Sequence, residues 1–136
     1  MRWLPVVLLM GFIGWITWQA DKGEYNFFIM LAASFPNGDK VGHLLIYLML
    51  AVMLNVALQF RRLPLGPLRP ELGSLLVWVY TMLEETSQLW FASRNFEWLD
   101  VLANTTGVLL ASLICRFGQQ SYNKWKSASA SKRLSK

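Results

Sequence analysis

Four apolar blocks, each about the length that crosses a hydrocarbon core, dominate this chain. They run over residues 4–19, 41–60, 73–91 and 98–117. A half-buried helix of a soluble domain shows one apolar stripe, whereas these blocks are apolar nearly all round. Composition points the same way. The chain has 136 residues, seven of them Trp and eight Phe, and only 15% are charged. A soluble domain of this size rarely combines those figures. The expected fold is an all-α integral membrane protein, a bundle of four transmembrane helices. Residues 1–118 form its single membrane domain and residues 119–136 a basic tail that is expected to fray.

The first block resembles a secretion signal, with Arg2 as its basic start. However, Trp18-Gln19-Ala20 puts a bulky ring where a signal peptidase needs a small side chain, so an uncleaved anchor is expected. The Pro- and Gly-rich stretch 61–70 reads as a hairpin loop. The stretch 21–40 contains an apolar run, 25–33, that is too short to span and is broken by Ser34-Phe35-Pro36-Asn37-Gly38. It reads as an interfacial or re-entrant piece between the first two spans, or as a plain loop with a greasy patch.

Charge predicts the orientation. With the N-terminus in the cytoplasm and four crossings, the cytoplasmic side holds ten basic residues and one acid, Glu71. The outer side holds three basic residues, Lys22, Lys40 and Arg94, and seven acids. Both termini are therefore expected in the cytoplasm. The basic excess is read as a topology signal that also meets anionic membrane lipid, not nucleic acid. The single cysteine, Cys115, has no internal disulfide partner and reads as a packing residue, with lipidation or redox chemistry as alternatives.

Three blocks carry polar groups where lipid would forbid them. The second begins Asp39-Lys40-Val41-Gly42-His43, the third carries Glu84-Glu85-Thr86-Ser87-Gln88, and the fourth carries Asp100 and Asn104. At about 100° per residue, with Glu84 at zero, Thr81 falls near 60°, Gln88 near 40° and Glu85 near 100°. One polar wedge on a greasy helix must face other helices or a wet cavity, because a carboxylate toward lipid costs several kcal/mol. Asp39, His43 and Tyr47 share a face by the same arithmetic. So do Asp100, Asn104, Gly107 and Ala111, a stripe of small residues with a polar top, suited to close packing. Topology brings the three faces to one level, roughly 10 Å below the outer surface for the glutamates. One glutamate is expected ionised and paired with Arg94, with Lys40 the second choice. The other is expected protonated or hydrogen-bonded to Gln88. Bland readings stand beside these: His43 as a hydrogen-bonding structural residue, Gln88 and Asn104 as interhelical glue, Arg94 as a headgroup anchor.

In order and spacing, Asp39-Lys40-x-x-His43, Glu84-x-x-x-Gln88, Arg94 and Asp100-x-x-x-Asn104-x-x-Gly107 resemble the signature of the VanZ-like family. The resemblance spans about residues 34–115; Glu85 and Tyr47 fit as well. The family's founding member is associated with teicoplanin resistance, so the resemblance implies a cell-envelope role in a bacterial cytoplasmic (inner) membrane. It implies no reaction.

Two functions suit the residues. One is an enzyme of the outer membrane face acting on a lipid-linked or otherwise amphiphilic envelope molecule. His43, Glu84, Glu85 and Asp100 are its candidate acids and bases; Asp39, Lys40, Gln88, Arg94 and Asn104 are candidate binding residues. A divalent cation held by Asp39, His43, Glu84 and Asp100 is a candidate cofactor. The other is a binding or shielding protein for a lipid headgroup, an envelope precursor or a glycopeptide antibiotic. A proton- or ion-coupled carrier comes third, and would call for an oligomer. The sequence has no P-loop, G-x-S-x-G or H-E-x-x-H.

Overall fold

The computed structural model describes residues 3–24, 26–67, 69–90 and 96–134, with the backbone alone at 126 and 129–134. The described residues form five α-helices and no strand: α1 (Leu4–Asp21), α2 (Phe27–Ala33), α3 (Gly38–Ala57), α4 (Leu72–Ser87) and α5 (Trp98–Leu134). A 3-10 turn, Gln88–Trp90, extends α4.

Local chemistry sets these boundaries. Pro5 lies in the first turn of α1, where its missing N–H costs nothing. Asn26 caps α2 by accepting from the Ile29 N–H at 2.9 Å. Asn37, at φ 56°, turns the chain into α3. The next residue must be Gly38, since a Cβ there would sit 2.2 Å from the Ala32 carbonyl oxygen. The helix thus starts three residues before the apolar block, so Asp39, Lys40 and His43 all ride on its first turns. It stops at Ala57 because Gln59 and Phe60 take left-handed conformations, at φ 56° and 54°.

α3 is the hub of the bundle and packs against α1, α2, α4 and α5. Tyr47, Leu50, Ala51, Val77, Val108 and Ala111 make up most of its core. α3 and α5 approach so closely at Gly107 that a Cβ there would lie 2.4 Å from the Leu44 carbonyl oxygen. Away from the site, Asn55 of α3 donates to Ser74 Oγ of α4 at 2.8 Å and accepts from the Ser74 N–H at 3.1 Å. Ser112 of α5 donates to the same Ser74 hydroxyl at 2.8 Å. Buried Cys115 accepts from Asn55 Nδ2 through its sulfur at 3.7 Å. At the bundle end beyond this cluster, fully buried Glu71 pairs with Arg116 at 2.9 Å and Arg62 at 3.3 Å.

Among the described residues, three helices are long and apolar enough to cross a membrane: Leu4–Asp21, Gly38–Ala57 and the Trp98–Trp125 part of α5. Their outward faces bear exposed Leu8, Leu45, Leu109, Leu113 and Phe117, an apolar surface larger than water tolerates. The chain is a multi-pass membrane protein. α4 is shorter than these three: it has 16 residues and carries two glutamates in its last turn. Two further expectations resolve. The piece between the first two spans contains a short helix, α2, whose Phe27, Met30 and Leu31 are exposed. The tail continues α5 as far as Leu134 instead of fraying, because its Ala, Lys, Arg and Gln residues favour helix.

Candidate functional site

The wedge expected on α4 is buried. Thr81 is 0% exposed, Glu84 9%, Glu85 1% and Gln88 2%, while Leu83 between them is 65% exposed. α4 thus turns its polar side inward and its leucine outward, as the cost of an intramembrane carboxylate requires.

Three helices meet at Glu84 and Glu85. From α3, Tyr47 donates its hydroxyl in a short hydrogen bond to Glu84 Oε2. From α1, Thr17 Oγ1 donates to Glu84 Oε1 at 3.5 Å. From α5, Asn104 Nδ2 donates to Glu85 Oε1 at 2.9 Å. The carbonyl end of the same amide lies 3.0 Å from His43 Nδ1. This chain fixes the imidazole. A carboxylate only accepts, so the Asn104 amide gives it the NH₂ and turns its oxygen to His43. Nδ1 then carries a proton and donates it to the amide oxygen; the same Nδ1 lies 3.6 Å from Glu85 Oε1. Among the described residues, the other oxygen of Glu85, Oε2, is buried without a hydrogen-bond partner, and so is Gln88 Nε2.

A second group lies at the starts of α3 and α5. The Lys40 ammonium pairs with Asp39, with Glu97, and with Asp100 Oδ1, the last at 3.0 Å. Asp39 and Glu97 are half exposed here. Lys40, expected second in line for a glutamate, therefore serves aspartates and Glu97 instead. The four residues expected as metal ligands divide likewise: His43 and Glu84 fall in the first group, Asp39 and Asp100 in the second. Arg94 lies outside the described residues. Gln88 is buried beside the site with its Nε2 unbonded.

Both groups border one cleft of about 620 Å³. Its α1 and α2 side is apolar, with Phe12, Ile13, Phe28 and Ile29. Its other side carries Asp39, His43, Tyr47, Glu84, Gln88 and Asp100. Amphiphilic lining of this kind suits a ligand with a hydrocarbon body and a polar head. The sequence offers no signal for Thr17 or Glu97: Thr17 is one hydroxyl among apolar neighbours and Glu97 one acid just before Trp98, and only helix packing shows what they touch.

The family described as VanZ/LLP1 matches residues 2–119. Neither the curated proteins nor the solved structures offer a match. The match covers most of the chain, the whole bundle and every described site residue, and the chain belongs to that family.

Proposed function

We propose that this member of the VanZ/LLP1 family is a cell-envelope enzyme that draws an amphiphilic molecule into the cleft and reacts at its polar head. The observation that carries this reading is the two-sided cleft itself: apolar walls from α1 and α2 face a polar wall of His43, Tyr47, Glu84 and Gln88. The hydrocarbon part would lie along Phe12, Ile13 and Phe28. The head would reach the His43–Glu84–Glu85 group, whose members are held in place by Asn104, Tyr47 and Thr17. Such anchoring is what chemistry at a fixed point needs. Asp100 is tied to Lys40 and is the poorer candidate for a base.

In this reading the chain crosses the bacterial cytoplasmic membrane four times, termini inside, and the cleft opens outward. α4 and the 3-10 turn together rise about 30 Å, enough for the fourth crossing. The bias of basic residues toward residues 61–70 and the C-terminal tail supports that orientation. A second reading, binding or shielding of an envelope precursor or glycopeptide without reaction, draws support from how many site groups already bond to one another, as Tyr47 does to Glu84.

Purified protein mixed with bacterial lipid extract, followed by mass spectrometry, separates the two. Turnover of a lipid-linked species that Glu84→Gln abolishes is the expected result. A lipid that co-purifies and is returned unchanged favours the binding protein. No retained or altered lipid would sink both.

A further inference from the structure

We infer that His43, Glu84 and Glu85 hold one divalent first-row transition-metal ion, of the Zn²⁺ or Mn²⁺ class, at the polar wall of the cleft. The inference deepens the proposed reading of that wall as the reacting end and rests on it for its function, though not for its geometry.

One ligand atom from each of the three side chains lies within 4.8 Å of the other two, a spacing that a single ion can close to bonding distance with small side-chain shifts. Closeness of acidic groups alone would mean little. Glu85 adds an independent observation: it is 1% exposed, and its Oε2 is buried with no hydrogen-bond partner among the described residues. A buried carboxylate oxygen left unbonded costs free energy that a ligand would recover. The imidazole is prepared as well. Its Nδ1 lies 3.0 Å from the Asn104 carbonyl oxygen and 3.6 Å from Glu85 Oε1, so the ring already faces the carboxylate. Tyr47 and Thr17 donate to the Glu84 oxygens and orient them. One nitrogen and several oxygens suit a first-row transition ion better than Ca²⁺.

A second trio, Asp39, Glu97 and Asp100, meets the same distance criterion. There a cation is already built in: the Lys40 ammonium pairs with all three carboxylates. The two trios thus make opposite predictions, which provides an internal control. When bound, the ion would supply a Lewis acid to an oxygen of the amphiphile's head.

The test uses full-length protein in detergent micelles, stripped with EDTA and passed over gel filtration to confirm that it stays monodisperse. Zn²⁺ is titrated by calorimetry, and the Mn²⁺-loaded protein is measured by pulsed electron paramagnetic resonance. The expected result is about one Zn²⁺ per chain, with nitrogen modulation on the Mn²⁺ signal from imidazole. Glu97→Gln should bind as the wild type does, and His43→Ala and Glu85→Gln at least ~10-fold more weakly. Affinity weaker than ~1 mM in the unaltered protein, or a Mn²⁺ signal without nitrogen coupling, overturns the assignment. So does loss of binding in Glu97→Gln with retention in Glu85→Gln. No lipid is present, so these outcomes leave the turnover reading intact. Conversely, intact metal binding without lipid turnover sinks that reading and spares this one.

Discussion

Asn104 decides how the two sides of the site relate. It is fully buried and uses both ends of its amide, one on Glu85 and one on His43. Asn104→Leu keeps the volume but leaves Glu85 Oε1 without its donor and frees the imidazole to turn. Buried polar groups stripped of a partner cost about 1–3 kcal/mol, more when charged. Thermal unfolding in detergent should register that loss as a lower Tm, and Asn104→Asp should be worse still because it sets a second carboxylate against the first. An unchanged Tm in both variants would mean the amide bonds carry no stability. Helical angles in the sequence place Asn104 and Glu85 on inward faces, yet angles within one helix cannot say which residue of the next helix is opposite. That is why Asn104 reads equally well as glue, and why the sequence suggests Lys40 beside Glu84 or Glu85 when its carboxylate partners are Asp39, Glu97 and Asp100.

At the scale of elements, the α3–α5 contact is the one the bundle can least afford to widen. The Cβ of Gly107→Ala would meet the Leu44 carbonyl oxygen at 2.4 Å, and that atom is backbone that cannot swing away. The helices must part, and the His43–Asn104 bond spans the same gap one turn away. Overpacking of this kind typically costs 1–3 kcal/mol. Gly107→Ala should therefore lower Tm and weaken whatever ligand the site holds, whereas Gly118→Ala, with nothing within 4 Å of its Cβ, should do neither. Equal effects from the two would count against a specific contact at Gly107. The stripe of small residues on α5 was legible because Gly107 and Ala111 follow Asn104 at helical spacing. The start of α3 was placed late for a plain reason: Gly38, Asp39 and Lys40 are not apolar, so a search for greasy runs begins at Val41. The third apolar block, 73–91, is met by α4 together with residues 88–90, which continue it as a tighter turn that a search for apolar runs cannot tell from α-helix.

For the whole molecule, orientation is the proposal from which the rest of the functional reading depends, and it can be tested without any ligand. In a Cys115→Ser background, which retains a hydrogen-bonding group for Asn55, a cysteine at position 95 should react with an impermeant thiol reagent added outside intact cells. A cysteine at position 65 should react only after the cells are opened. The reverse pattern would put the cleft on the cytoplasmic face. One feature of the network also bears on how the chain is made. Glu85 finds its amide partner nineteen residues further on, at Asn104 of α5. While α4 emerges from the ribosome, α5 does not yet exist; Thr17 of α1 and Tyr47 and His43 of α3 are already at hand, but the Asn104 amide is not. If α4 crosses as proposed, it cannot be released alone into lipid with Glu85 unanswered. The expected course is that α4 stays within the insertion machinery until α5 follows, so that the two helices enter the bilayer as a pair and α5 completes the site.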